Sequence, residues 1–577
     1  MEGDRIAFFI KGEDVLLRVR RAPRFLVLLL LLLTVLSLPA ASALRIVELC
    51  PDTYLPRDTD AYFVLNGTGL LANVTVSDGE GSLSFPAGAQ ARGRVTVADE
   101  ALSYLAVHGS LPDFEFGNTS PAVPDMARTG RFALANDGDE LVLSERGQAV
   151  QSLLWPGDLH PREGQVHFLA DGGWDPRVLL LGQSQFSPVT LGNATVTGFV
   201  SPDSSFGVLE QAVTQARREI LVNAYELTNP RIGDLLISAR ERGVAVTVLL
   251  EGGPVGGISR DEKAVCAALN RSGIPLLAMT TSSTAHARYR YNHAKYLVID
   301  GEYLLISTEN FGDHGYPPPG SRGNRGWGAL IEDPGTAAYF REVFMADLRG
   351  GDVVPYLPAP GEPAPLNTVP YRMQFPAVRA TGVTVTPVLS PDTSFLVLSL
   401  ISRAQDRIEI EQASIRNATR WEPDPFLSAA VNASRRGVAV RILLDGSRYN
   451  DEGPADNDEV AGLVNALAAA ENLSLAARIL EPAAGSLVAV HTKGVIVDGE
   501  VVMISSINWN ANSPNFNREA GVILESPALG AYYSSVFDED WNRAGAAAGP
   551  AGPDMVKIAA AGILIVLLVL FYLRRRR

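Results

Sequence analysis

Cysteine, histidine and basic residues are all scarce in this sequence. It contains 2 cysteines and 7 histidines in 577 residues, and 64 Asp and Glu outnumber 49 Lys and Arg, which gives a net charge of -15. Two cysteines cannot build a disulfide framework, so Cys50 and Cys266 either pair across domains or remain thiols, and hydrophobic cores must supply the stability. An acidic balance argues against a protein coated for nucleic-acid binding. No Cys/His set or carboxylate cluster with metal-ligand spacing accompanies the motifs described below, so we predict no metal and no cofactor.

Two long apolar runs flank the rest of the sequence. Phe25–Pro39 follows four arginines and precedes a small-residue cleavage signal, which predicts a signal peptide or an uncleaved signal anchor over 1–43. Met555–Leu573 contains one charged residue and precedes four arginines, which predicts a transmembrane helix over 555–573 with a basic cytoplasmic tail at 574–577. A buried core helix is the alternative for that run. We therefore expect attachment to the cell membrane, with the residues between the two runs on the extracytoplasmic side.

Eight Asn-x-Ser/Thr sequons lie between these runs, which is compatible with an exported and glycosylated surface. They are Asn66, Asn73, Asn118, Asn193, Asn270, Asn417, Asn432 and Asn472.

Residues 44–191 have the pattern of an all-β domain. Short alternating strands such as Arg45–Leu49 and Glu140–Ser144 are separated by turn residues, which predicts an immunoglobulin-like β-sandwich. The order of these segments resembles the lamin-tail family. No nucleophile–base pair occurs here, so we interpret the domain as a spacer or as a module that binds an unknown surface partner.

The remainder contains an internal repeat. Ser201–Phe206 recurs as Ser390–Phe395, and Arg242–Glu251 recurs as Arg436–Asp445. Each copy reads helix, strand, helix, strand and then a hairpin, which predicts an α/β lobe with a mixed sheet. We place the lobes at 192–352 and 376–543, joined by a Pro-rich linker at 353–375 and followed by a second linker at 544–554.

Each lobe ends in a hairpin that carries the same polar residues. The first strand runs from His293 through Lys295 to Asp300, and the second copy has the same spacing. Period-two alternation places the His and the Lys of one strand on the same face. The return strand brings a hydroxyl and an amide back toward them. The corresponding residues of the second copy are His491, Lys493 and Asp498, and the return strands end in Thr308 and Asn310 and in Ser506 and Asn508.

These groups suit displacement at a phosphodiester. Ammonium, amide and hydroxyl donors can hold phosphoryl oxygens, and two histidines can serve as nucleophile and general acid. An arginine cluster that includes Arg288, Arg325 and Arg518 adjoins the signatures. It either attracts a phosphate or forms a solvated loop with compensating acids.

The twin signatures resemble those of the phospholipase D superfamily, HxK(x)4D(x)6GSxN, from near Thr197 to near Arg543. Ser307 and Ser505 replace the Gly of GSxN, and Thr308 replaces its Ser. In the second copy Glu519 matches the family's downstream NxE carboxylate, which orients a catalytic histidine. The first copy has Gly326 there, so that carboxylate is missing and the equivalence of the two lobes is in doubt.

The resemblance implies pseudo-two-fold packing around one cleft and a phosphohistidine intermediate. It implies His293 as nucleophile, His491 as general acid, Glu519 as the orienting carboxylate and Asp300 and Asp498 as structural residues. It further implies a set of residues that hold the phosphate: Lys295, Lys493, Asn310, Asn508, Thr308 and Ser506.

The predicted fold class is α/β, with two pseudo-symmetric phospholipase D-like α/β lobes with mixed sheets, preceded by an all-β immunoglobulin-like sandwich and followed by one C-terminal transmembrane helix. The predicted function is that of an exported, membrane-tethered phospholipase D-type phosphodiesterase or phosphatidyltransferase that acts on phospholipid. An extracellular nuclease and a non-catalytic surface-binding protein are the alternatives.

Overall fold

The computed structural model describes residues 44–546 except 137, 156–161, 171–172, 176, 283–284, 360, 364, 367, 417–422, 448–455 and 483–486. The predicted signal segment at 1–43, the transmembrane helix at 555–573, the tail at 574–577 and most of the linker at 544–554 lie outside the described residues. The described chain divides into two compact units. The first comprises 44–51, 57–155 and 168–170, and the second comprises 52–56, 162–167 and 173–546.

The predicted fold class requires a correction. Within the described ranges, no helix is long and apolar enough to cross a membrane. The longest described helix, Pro527–Arg543, has 17 residues and includes several acidic side chains, whereas a membrane span needs about 20 apolar residues. Among the described residues, the fold class is therefore mixed α/β after a mainly β unit, with no membrane-spanning helix.

The first unit consists mainly of antiparallel strands, which form two sheets. Alternate residues such as Leu141 and Leu143 are buried, as the period-two pattern predicts. The resemblance to the lamin-tail family stays a prediction. The elements are β1 Arg45–Cys50, β2 Tyr62–Leu70, β3 Val74–Ser77, β4 Gly81–Ser84, β5 Gln90–Ala98, α1 Ala101–His108, β6 Phe114–Glu115, β7 Ala127–Gly130, β8 Asp139–Glu145 and β9 Gln148–Trp155. Neighbouring strands follow the order β1-β2-β5-β6 in one sheet and β7-β4-β3-β8-β9 in the other.

Three short strands, β10 Gln165–Ala170, β11 Gly173–Trp174 and β12 Leu179–Leu180, precede the repeat. The first half of the repeat contains β13 Leu191–Ser201, α2 Ser205–Gln215, β14 Glu219–Ala224, α3 Pro230–Glu241, β15 Ala245–Glu251, α4 Arg260–Arg271, β16 Leu276–Met279, β17 Lys295–Ile299, β18 Tyr303–Ser307, β19 Gly326–Glu332, α5 Pro334–Leu348 and β20 Val353–Pro355.

The second half repeats this order of elements and adds one short helix, Ser513–Phe516. It contains β21 Val378–Ser390, α6 Leu396–Ser402, β22 Arg407–Gln412, α7 Pro425–Arg435, β23 Ala439–Asp445, α8 Asn457–Glu471, β24 Leu475–Leu480, β25 Lys493–Val497, β26 Val501–Ser505, α9 Ser513–Phe516, β27 Glu519–Glu525, α10 Pro527–Arg543 and β28 Gly545–Ala546.

The two halves share one sheet instead of having a sheet each. Its 16 strands run in the order β20-β16-β15-β14-β17-β18-β19-β13-β21-β27-β26-β25-β22-β23-β24-β28, which has corresponding strands at equal distances from its centre. At the centre, β13 pairs antiparallel with β21. Because that pairing joins strands from different halves, it is invisible to local sequence patterns.

Helices cover both faces of this sheet and position the hairpins. Along β17, Tyr296 and Val298 face a core that contains residues of both halves, including Ile496 and Ile504 of the second. Leu297 and Ile299 face the core beneath α2, α3 and α4. Strands buried on both faces read as continuous apolar runs, as β17 and β25 do. Cys266 and Cys50 are each a buried thiol, and no disulfide occurs among the described residues.

Candidate active site

The two signatures meet because each hairpin begins against the opposite half. The backbone N–H of His293 donates to the carbonyl of Arg518 at 2.8 Å. The backbone N–H of His491 donates to the carbonyl of Arg325, also at 2.8 Å. These reciprocal bonds fix the start of β17 beside the start of β27, and the start of β25 beside the start of β19. Both histidines and both signature lysines therefore border one site.

Asp300 and Asp498 lie at the other ends of β17 and β25. Both have a left-handed backbone, with φ of 55° and 53°, in the turn that follows the strand. The Asp300 carboxylate accepts the backbone N–H groups of Arg217, Arg218 and Glu219 at 2.6 to 2.9 Å. Asp300 is seven residues from His293 along an extended segment, or roughly 20 Å. Neither aspartate can therefore reach a phosphate bound at the histidines.

Lys295 and Lys493 are buried cations at the centre of the site. The Nζ of each donates to the carbonyl of the histidine two residues earlier, at 2.7 Å for Lys295 and 2.8 Å for Lys493. Burial lowers the pKa of Lys295 to about 7 and that of Lys493 to about 8. The proximity of Lys493 also lowers the pKa of Lys295. An anion bound here would stabilise both ammonium groups, so the two lysines form a site for an anion.

His293 is held by a carboxylate of the opposite half. Its Nδ1 lies 2.8 Å from Oε2 of Glu519, which also accepts a hydrogen bond at Oε1 from Asn517 Nδ2 at 2.9 Å. Burial alone would raise the pKa of Glu519, but His293 and Lys295 hold it below its ordinary value. Burial lowers the pKa of His293 to about 4, although Glu519 opposes that effect. The imidazole is therefore neutral at pH 7, with Nε2 available for reaction.

His491 faces a carboxylate that the sequence analysis missed. Oε2 of Glu309 lies 3.4 Å from His491 Nδ1, and Asn324 Nδ2 donates to the same oxygen at 3.1 Å. Burial and Lys493 lower the pKa of His491, and Glu309 opposes them. Glu309 occupies the variable position of the return-strand signature, so the family pattern gives no reason to select it. The available signal was a charged residue in an otherwise buried segment.

The remaining signature residues divide between backbone support and the site. Thr308 and Ser506 are fully buried, and their hydroxyls accept the backbone N–H groups of Trp327 and Ala520 at 3.1 and 3.0 Å. Asn310 donates its amide to Glu226 at 2.8 Å. Asn508 is half-buried, and its backbone N–H donates to the Ser513 hydroxyl at 2.9 Å. The hydroxyls therefore stabilise the return strands through backbone hydrogen bonds.

Both interpretations of the arginine cluster require correction, because Arg325 and Arg518 are fully buried. Arg325 pairs with Asp203 and Asp540, and Arg518 pairs with Asp347 and Asp392. Each arginine thus holds one carboxylate of each half. Arg288 pairs with Asp352 at 2.8 Å. These guanidinium groups are engaged in internal ion pairs, so they are not available to attract a phosphate.

Among the residues that the structure describes, no group of three or more His, Cys, Asp and Glu side chains could hold a metal ion. A family model described as "Cardiolipin synthase, PLD-like domain" matches residues 209–348 and again 397–541, once in each half. The chain belongs to the phospholipase D superfamily. It is an enzyme of that superfamily, a phosphodiesterase or phosphatidyltransferase.

Relatives in the phospholipase D superfamily include two bacterial proteins named cardiolipin synthase A. That of Pseudomonas syringae pv. syringae (strain B728a) is 26% identical over 369 residues, which cover 61% of this chain and 70% of the relative. That of Pseudomonas aeruginosa (strain LESB58) is 24% identical over 364 residues, which cover 61% and 68%. Among solved structures, a phosphatidylserine synthase of Haemophilus influenzae Rd KW20 has 13% identity and a TM-score of 0.45, over 60% of this chain and 85% of that one.

Proposed function

We propose that this enzyme transfers the phosphatidyl group of a phospholipid to an alcohol or to water through a phosphohistidine intermediate. The observation that carries the proposal is the pair of histidines, each with Nδ1 facing a buried carboxylate of the opposite half and each beside a buried lysine. Because the carboxylates occupy the Nδ1 sides, Nε2 is the reactive nitrogen of both rings. The match to the family model described as "Cardiolipin synthase, PLD-like domain" supports phospholipid as the substrate.

In the first step, Nε2 of His293 attacks phosphorus and forms a P–N bond. The bond from phosphorus to the leaving alcohol breaks, and His491 gives its Nε2 proton to that oxygen. Lys295 and Lys493 oppose the charge that builds on the phosphoryl oxygens, and the amides of Asn310 and Asn508 supply further donors. We assign the nucleophile to His293 because its pKa of about 4 keeps it unprotonated at neutral pH.

In the second step, His491 accepts the proton of an incoming alcohol or water as the oxygen of that molecule attacks phosphorus. The P–N bond breaks and His293 returns to its neutral state, so the two steps balance in atoms and protons. Glu519 remains an acceptor for His293 Nδ1–H throughout, which stabilises the proper tautomer. The predicted location at a membrane surface stays a prediction.

The test is to incubate the purified full chain with vesicles of phosphatidylglycerol, phosphatidylethanolamine or phosphatidylcholine, with and without added deuterated glycerol, so that a transfer product differs in mass from every substrate. We expect a free headgroup alcohol in every productive reaction and a deuterated phosphatidylglycerol when the labelled glycerol is present, both detected by mass spectrometry. His293→Ala should abolish both products. Parallel reactions with plasmid and single-stranded DNA test the nuclease alternative, and an inert wild type in all reactions would favour the non-catalytic alternative.

A further inference from the structure

We propose that Glu309 is the positioning residue of His491. The positioning carboxylate then stands in the return-strand signature of the first half, whereas in the second half it stands at the start of β27. The second half has Ile507 within its return-strand signature and Glu519 at the start of β27. The first half has Glu309 and Gly326 at the corresponding places. The proposal rests on the proposed function, in which His491 is the general acid. It gives the first half a counterpart of Glu519, which the first half lacks at position 326.

The space around Gly326 supports this difference in position between the two carboxylates. A Cβ atom at this position would lie 2.4 Å from both Cγ and Oε1 of Glu309, which is far inside van der Waals contact. Gly326 is not among the glycines with positive φ, so its backbone conformation does not require glycine. The glycine is required because the Glu309 side chain fills the volume into which a residue 326 side chain would extend.

The polar surroundings of the two carboxylates also correspond. Asn324 Nδ2 donates to Glu309 at 3.1 Å, and Asn517 Nδ2 donates to Glu519 at 2.9 Å. Each asparagine stands two residues before the end of its Asn-Arg-Gly or Asn-Arg-Glu segment. Both carboxylates are at most 1% exposed as residues, and each lies beside the histidine of the other half. In each half, therefore, the asparagine of this segment donates to the carboxylate that faces the opposite histidine. The two carboxylates come from different sequence positions.

The charges around His491 come from three groups. Lys493, on its own strand, and Lys295, on β17, both disfavour a positive imidazole, whereas Glu309 favours it. Glu309 is therefore the group that keeps His491 able to carry a proton for the leaving alcohol. Without that carboxylate, two lysines and burial would leave the ring neutral and unable to act as an acid.

The experiment uses four full-length variants: Glu309→Gln, Glu309→Ile, Gly326→Glu, and the double variant Glu309→Ile with Gly326→Glu. The double variant gives the first half the arrangement of the second. We expect each single variant to lose kcat by on the order of 10²-fold, because a misplaced or uncharged acid transfers protons poorly. The double variant should recover to within about ten-fold of wild type. Glu302→Gln, at the exposed hairpin turn, is the matched control and should retain wild-type kcat.

A second readout does not need turnover. The pKa of His491 is followed by NMR of histidine-labelled full chain, with His491→Gln to identify its signal. Glu309→Gln should lower that pKa, and the double variant should restore it. An unchanged His491 pKa and kcat in Glu309→Gln would overturn the inference while leaving the proposed function in place. A wild type inert toward every phospholipid would overturn the proposed function, yet the titration would still decide the role of Glu309.

Discussion

Arg518 of the second half donates through Nη2 to Oδ1 of Asp347 in the first half at 2.8 Å, and both side chains are buried. Arg325 of the first half makes the equivalent pair with Asp540 of the second, with Nε 2.5 Å from Oδ2. The two ion pairs cross the boundary between the halves in opposite directions. They are therefore part of what holds the two signatures in register.

We expect Arg518→Met to destabilise the catalytic unit by about 3–5 kcal/mol, since it leaves Asp347 and Asp392 buried without their cation. Urea denaturation followed by tryptophan fluorescence measures the change. Arg379→Met is the control, because its pair with Glu332 is exposed and should contribute less than about 1 kcal/mol. Equal shifts in the two variants would show that burial of the Arg518 pair has no energetic consequence.

The shared site makes a prediction about the two histidines. His293→Ala and His491→Ala should each abolish turnover of phospholipid, and the double variant should be no worse, because residues that act as a unit are not additive. His314→Ala, with a half-exposed side chain beside Asp313, should retain activity. Steady-state rates of the four variants test this directly. A fully active single variant would mean that the two signatures do not share one phosphorus centre.

A better leaving group separates the two roles. A p-nitrophenyl phosphodiester departs without protonation, so it should restore turnover to the variant that lacks the general acid and not to the one that lacks the nucleophile. We expect rescue of His491→Ala. Rescue of His293→Ala instead would exchange the two assignments while preserving the shared site.

The depressed lysine pKa values predict how anion binding depends on pH. Lys295 and Lys493 titrate near 7 and 8, so both are protonated below about pH 6 and lose their charge as the pH rises. Affinity for sulfate, whose own charge is constant in this range, should fall by up to about ten-fold per pH unit for each lysine that must be protonated. Calorimetric titrations at several pH values measure this. Lys295→Met should flatten the profile and the exposed Lys263→Met should not, whereas a pH-independent wild type would contradict the assignment of these lysines.

The donor set predicts that activity persists in excess EDTA. The charged groups that converge on the site include two lysines, which repel a divalent cation, and the nearby carboxylates are engaged with histidines. The phospholipid assay, run after dialysis against the chelator, measures this. Complete loss of activity that a divalent ion restores would require a different mechanism.

The sequence was sufficient for the hairpins and for the repeat. Period-two alternation in Lys295–Ile299 correctly placed alternate side chains on opposite faces of the strand, because a side chain's face in a strand depends only on its position. Glu309 could not be assigned in the same way, because its partner His491 lies in the other half and only tertiary structure brings them together. The burial of Arg325 and Arg518 was not predicted for a related reason. An arginine in a polar segment is expected to be exposed until the buried carboxylates that pair with it are known. The pairing of β13 with β21 is likewise a long-range register that neither strand's pattern encodes.

That central pairing determines how the cleft can behave. Two domains joined by a linker can swing apart, but β13 and β21 are hydrogen-bonded neighbours, and breaking them apart would expose two sheet edges and four buried carboxylates. The two sides of the site therefore cannot move apart unless this central pairing and these ion pairs break. A half expressed alone would carry one histidine, one lysine and an open edge strand, so it could assemble a complete site only by pairing with a second half along that edge.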